Sequence, residues 1–308
     1  MYPFLRRRLL LLLPTMLGVA TLIFLMRPLI PGDPVDFMLG ETARAVDKDA
    51  LRHEFNLDRP LLEQYGIFLG GLLRADLGRS IMSGRPVAGL IAERLPNTLQ
   101  LALAAALVAV LVAIPLGVVA AARQYSWLDN ASVFFALLGV SMPNFWLGPL
   151  LVMLFSIELG WLPVSGRGGP EHLVLPALTL GLAMAGILTR LTRATMLETI
   201  REDYIRTARA KGLPERLVFF KHALRNGLIP VITLLGLQLG ALLAGSIVTE
   251  TIFAWPGLGR LIIQAINARD FPLLQGCVMT IAMGYLIVNL LTDLAYALAD
   301  PRIRLRGG

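Results

Sequence analysis

At 308 residues, 56% of them hydrophobic and 16% charged, with a mean hydropathy of +0.68, the chain is too apolar for an ordinary water-soluble domain. A net charge of +7 would suit nucleic acid, but the positive residues gather between long apolar runs, which favours a bilayer and argues against a nucleic-acid partner. The single cysteine, Cys277, rules out an intrachain disulfide, and His53, His172 and His222 lack the spacing that puts two imidazoles on one helical face, so neither a metal nor a cofactor is expected on this chain.

Crossing about 30 Å of hydrocarbon takes roughly 20 mostly apolar helical residues, because only internal hydrogen bonds satisfy the backbone there. Six charge-free runs meet or approach that length: Leu9 to Met26, Leu99 to Ala122, Ala131 to Ile157, Leu173 to Thr189, Leu228 to Thr249 and Phe271 to Thr292. The predicted fold class is an all-α membrane protein with six transmembrane helices. Residues 1–30 hold the first span. Its Arg6-Arg7-Arg8 flank resembles a signal peptide, but the run is long and no small-residue cleavage site follows, so an uncleaved anchor is expected.

Residues 31–96 read as an extracytoplasmic insertion. Asp49 to Phe55 predicts one amphipathic helix, Asn56 to Pro60 a turn, and Leu61, Leu62, Tyr65, Phe68, Leu69, Leu72 and Leu73 a second helix lying on the membrane surface or the span ends. A stretch this short seldom buries an independent core, so a packed cap is expected rather than a separate domain. Residues 97–298 then form a five-helix core, and 299–308 a tail.

The third run is interrupted at Met142-Pro143-Asn144, where Pro143 removes a backbone hydrogen bond and frees carbonyls near mid-membrane. Ser141 and Asn144 there either line a path or repair the kink. The fourth run continues past Arg190 and Arg193, which snorkel, to about Met196. With the N-terminus inside, the cytoplasmic segments hold 16 Lys and Arg against 7 Asp and Glu, and the external segments 12 against 14. Both termini are therefore expected in the cytoplasm.

The cytoplasmic loop, 197–227, is the most informative segment. Glu198, Glu202 and Asp203 open a helical stretch and Arg206, Arg209 and Lys211 close it, as the helix dipole prefers. Gly212 is a stop signal, and Pro214 with Glu215 a start signal. The expected result is helix, sharp turn, short helix. Ile200, Tyr204, Ala208 and Gly212 share one face, and Leu217, Phe219 and Phe220 add apolar bulk with no water-soluble core to receive it. Two readings follow: a basic loop that sets orientation and folds back on its own spans, or a rigid elbow seated in a partner's groove.

The segment DYIRTARAKGL resembles the coupling loop of the inner-membrane permeases of bacterial ABC importers, in the version found in the dipeptide, oligopeptide and nickel branch. Arg206-Thr207-Ala208 stand where that family often has Glu-Ala-Ala, so the Glu is missing. Further resemblances are LIPGDPV (29–35), LDRPLLEQY (57–65), ERLPNTLQLAL (93–103), GVSMPNFWLG (139–148) and ETIFAWPGLGRL (250–261). They imply a type I ABC importer permease in the bacterial inner membrane. The implied partners are a second homologous permease, two ATP-binding-cassette ATPase subunits and an extracytoplasmic binding protein. The implied cargo is small peptides, with nickel or a metal chelate as the alternative.

No phosphate-cradling loop precedes Lys48, Lys211 or Lys221, so ATP and Mg belong to the partner ATPases and this chain is not an enzyme. The resemblance makes Tyr204, Thr207, Ala208, Lys211, Gly212, Leu213, Pro214, Glu215 and Phe219 the ATPase-coupling residues, with Ala208 and Leu213 packing into the ATPase groove. Among polar residues in the runs, Ser141, Asn144, Gln238 and Asn289 are the candidate translocation path. A secondary transporter would show acids in its central runs, where none stands, and an intramembrane enzyme a nucleophile and base at membrane depth. WPGLGRL from Trp255 reads as a re-entrant turn or external gate, with Trp255 and Trp161 placed as interfacial aromatics.

Overall fold

The computed structural model describes residues 2–26, 35 and 45–299, and among these the regular structure is helical apart from one isolated bridge between Arg79 and Pro86. The stretch 29–34, residues 36–44 of the insertion and the tail from 300 lie outside the described residues. The helices in chain order are α1 (Tyr2–Leu25), α2 (Ala45–Glu54), α3 (Leu61–Leu73), α4 (Val87–Ala122), α5 (Trp127–Ser141), α6 (Asn144–Val152) and α7 (Glu171–Thr199). They continue as α8 (Asp203–Ala210), α9 (Glu215–Leu217), α10 (Leu224–Gly245), α11 (Ile247–Ile252), α12 (Leu258–Asn267) and α13 (Phe271–Ala299). A π segment, Met153–Glu158, extends α6, and another, Val218–Ala223, joins α9 to α10.

Four helical stretches are long and apolar enough to cross a bilayer: Val87–Ala122, Glu171–Thr199, Glu215–Leu243 and Phe271–Ala295. The pair Trp127–Ser141 and Asn144–Glu158, bent by 104°, makes a fifth when taken as one span. Pro143 thus turns the third run sharply where a kink was expected. The first run is helical in α1, but its described apolar part, Leu10–Leu25, is shorter than a full span.

Two helices start earlier than the apolar runs they carry. The helix that carries the second run starts at Val87, because Pro96 does not end it; beside it, Asn97 Nδ2 donates to the Glu93 carbonyl one turn back. The helix after Pro214 is not short. Gly227, between Glu215 and the fifth run, does not break the helix, and the π segment accommodates the join without interrupting it.

The described chain divides into two compact units. The first comprises residues 99–255 and 285–299. Its core is built from Leu101, Ala105 and Ala109 of α4, Leu180, Met184 and Leu188 of α7, Val231 and Leu242 of α10, and Trp255. Small residues let α7 approach its neighbours closely. A Cβ on Gly181 would strike the Ala105 carbonyl, one on Gly139 the Leu182 carbonyl, and one on Gly186 the Ala136 carbonyl.

Gly186→Ala is therefore expected to push α5 from α7 and destabilise the protein by about 1–3 kcal/mol. Gly70→Ala in α3, where an added Cβ meets nothing, should be neutral or slightly stabilising, since alanine is the better helix former. Thermal unfolding of the two purified variants checks this, and equal midpoints would refute the close-packing argument.

The second unit comprises residues 2–98 and 256–284. Val87 and Ile91 of α4, Leu258, Leu261 and Ile262 of α12, and Leu273, Leu274 and Cys277 of α13 form its core. Helix α3 packs on the end of α1: the Phe24 ring lies 5.2 Å from Tyr65 and 5.9 Å from Phe68, and the Tyr65 hydroxyl is 2.6 Å from Thr21 Oγ1. Asp270 fastens the 80–83 turn, accepting from Ser80 Oγ at 2.5 Å and from the Ile81 backbone N–H at 3.2 Å.

Candidate functional site: the elbow between the fourth and fifth spans

Helix α7 ends at Thr199, and a turn through Ile200 to Glu202 leads into α8. Lys211 caps α8, after which Gly212 adopts φ +75°, a left-handed conformation that costs an L-residue about 1–2 kcal/mol and glycine nothing. The Gly212 N–H donates to the Arg209 carbonyl and the Leu213 N–H to the Ala208 carbonyl, the paired bonds of a Schellman stop. Pro214 then opens α9.

The turn is braced from outside. Arg209 Nε donates to Glu215 Oε1 at 2.7 Å and its Nη2 to Oε2 at 3.2 Å, and Asn226 Nδ2 donates to the Tyr204 hydroxyl at 2.9 Å. Hydrogen bonds to the Glu215 carboxylate hold the Arg209 guanidinium above the usual arginine range. Both partners are well exposed, so the pair orients the turn more than it stabilises it.

The inner face of the elbow has its own core. Ile205, Ala208, Val218 and Ala223 are buried against Met196 of α7 and Val118 and Ala121 of α4, with Leu213 and Phe219 packed on the cluster. This corrects one expectation: Ala208 is buried and Leu213 packs against the chain's own spans, whereas of the apolar residues that follow only Phe219 joins this core and Leu217 and Phe220 stay outside it. The outward face presents Thr207, Lys211, Gly212, Pro214 and Glu215 among its exposed residues, and with them the apolar Tyr204, Leu217 and Phe220, which are 40%, 40% and 59% exposed.

The four path candidates fall into separate places. Ser141 is exposed at the end of α5 and Asn144 half-buried at the start of α6. The backbone bonds at the break, Met142 N–H to the Leu138 carbonyl and Trp146 N–H to the Pro143 carbonyl, end one helix and start the next without spanning it, and the start of α6 has no side-chain cap. Gln238 on α10 has both amide atoms buried without a partner, and Asn289 on α13 has its Oδ1 in the same condition. No hydrogen bond joins the four.

One tryptophan differs from expectation, and one buried acid was not anticipated. Trp255 is 1% exposed and belongs to the core of the first unit, so it is not an interfacial aromatic, whereas Trp161 is 69% exposed. Glu250, one residue beyond the fifth run, is fully buried and accepts from Ser246 Oγ at 3.1 Å. The signal was its position directly after an apolar run with a serine one helical turn before it.

Helices of this order and packing define the type I ABC importer permease fold. The chain is similar to the MetNI methionine ABC transporter in its inward-facing conformations, with TM-score 0.58 and 16% identity, over 68% of this chain and 96% of that one. It is also similar to a crystal structure of an amino acid ABC transporter with histidines, with TM-score 0.51 and 16% identity, over 70% of this chain and 94% of that one.

Residues 113–305 match the binding-protein-dependent transport system inner membrane component family and residues 1–102 its N-terminal counterpart; the chain belongs to this family and is a multi-pass inner-membrane permease subunit of an ABC importer. It is 45% identical over 298 residues to the glutathione transport system permease protein GsiC of Pectobacterium atrosepticum, covering 97% of each chain. It is 44% identical over 336 residues to the di/tripeptide transport system permease protein DppB of Pseudomonas aeruginosa, covering 99% of each.

Proposed function

We propose that this permease forms half of a translocation path for small peptides, with a second homologous permease as the other half and with its termini in the cytoplasm. An extracytoplasmic binding protein delivers the peptide, and two ATPase subunits, which hold ATP and Mg, dock on the elbow. The observation that carries the reading is the outward face of that elbow. Leu217 and Phe220 stand exposed beside a turn fixed by Gly212 and by the Arg209–Glu215 pair, on a helix continuous with the fifth span. A push on this face moves a membrane helix directly.

Relatives that carry glutathione and di/tripeptides support a peptide cargo. So does a path whose candidate residues, Ser141, Asn144, Gln238 and Asn289, are neutral, since amides donate to and accept from a peptide backbone without selecting a side chain. The test is uptake by the reconstituted complex with its binding protein, comparing labelled dipeptide, glutathione and nickel. Peptide uptake is expected; nickel uptake alone would overturn the cargo.

The docking surface has its own test. Leu217→Asp with Phe220→Asp leaves the inner core untouched, because neither side chain belongs to it and they are 40% and 59% exposed. The double variant is expected to fold, to lose the ATPase subunits on purification and to lose uptake. Retention of both would refute docking at this face.

A further inference from the structure

Helix α5 lies antiparallel along α7, and three contacts mark the register. Arg193 Nε donates to Asp129 Oδ1 at 2.6 Å and its Nη2 to Oδ2 at 2.7 Å; farther along, Gly186 meets the Ala136 carbonyl and Gly139 the Leu182 carbonyl. The Asp129 side chain is 3% exposed, and its Oδ2 also accepts from the Tyr125 backbone N–H at 3.0 Å, tying in the turn that precedes α5. One end of this paired body is next to the elbow: just past Arg193, Met196 enters the elbow core, and α7 then turns toward α8. The other end is the break at Met142-Pro143, just beyond Gly139.

A buried ion pair contributes little net stability compared with apolar groups of the same size, and its better-attested use is to fix register. The glycine contacts already hold α5 and α7 close, so what the pair adds is orientation at the elbow end. We propose that Asp129 and Arg193 are the positioning pair of coupled transport: they make α5 follow α7, so that displacement of the elbow reaches the broken third span. The proposal rests on the elbow being the ATPase-docking surface.

The experiment uses the full complex with its ATPases and binding protein, and compares Asp129→Asn, Arg193→Met and the double variant. Each single change leaves its partner, the buried Asp129 carboxylate or the half-buried Arg193 guanidinium, without its counter-charge and is expected to lower stability; the double change leaves no unpaired charge, with the amide oxygen at position 129 still able to accept from the Tyr125 N–H, and is expected to regain most of it. A purely structural pair would regain uptake along with stability. A positioning pair would not: the double variant is expected to assemble and hydrolyse ATP at near the wild-type rate while uptake per ATP falls about tenfold.

Wild-type uptake per ATP in the double variant overturns the proposal, and so does a double variant that fails to assemble, since the pair would then be a folding element. Failure of the underlying reading looks different. In that case the Leu217→Asp, Phe220→Asp complex would itself assemble and transport.

Discussion

Replacing Asp270 by alanine is expected to destabilise the second unit by about 3 kcal/mol and to free the 79–86 segment. The Asp270 carboxylate is 1% exposed and accepts from Ser80 Oγ, from the Ile81 and Met82 backbone N–H groups, and from the Leu273 N–H at the start of α13. Alanine removes the acceptor and leaves these donors unsatisfied beside a core built from Val87, Leu261 and Leu273. Asparagine keeps one oxygen and should cost less. The expected readouts are a lower unfolding midpoint of the purified complex and faster tryptic cleavage after Arg79, on the loop that Asp270 holds. An unchanged midpoint with unchanged cleavage would contradict the assignment.

Gly212→Val is expected to abolish coupled uptake, although its Cβ meets nothing: no heavy atom lies within 4 Å of a Cβ built there. The effect comes from the backbone alone. At φ +75° an ordinary L-residue is strained by about 1–2 kcal/mol and a β-branched one by more. The valine variant relieves that strain by opening the Schellman stop, which misaligns Leu217 and Phe220. Asparagine, which tolerates the left-handed region, should retain most uptake, and alanine should fall between. The ordering Gly, Asn, Ala, Val in uptake and in ATPase co-purification checks the point; an ordering by side-chain volume would indicate a steric contact with the partner instead.

Much of this architecture is written locally. The apolar runs mark helices because their length and lack of charge leave no other way to satisfy the backbone in a bilayer. Pro143 marks the break, and Gly212 with Pro214 marks the elbow, because each acts on its own few residues.

What depends on distant partners was not legible. Ser80 and Asp270 are 190 residues apart in the chain, and nothing near either announces the other. The inward turn of Ala208 follows from Val118, Ala121 and Met196 lying beneath α8, a tertiary fact. Pro96 does not end the helix that carries the second run, because a proline can be absorbed within a long helix. Position after the fifth run also misplaced Trp255, since it does not say which face packs inward.

The central claim is that the outward face of the elbow receives the ATPase. The most direct measurement places a photoreactive phenylalanine analogue at Phe220 in the assembled, membrane-embedded complex, with Leu111 on α4, also exposed, as the comparison site. The prediction is a covalent adduct with an ATP-binding subunit from position 220 and none from position 111. An intact complex that gives no ATPase adduct at 220, or gives one equally from both positions, would contradict it.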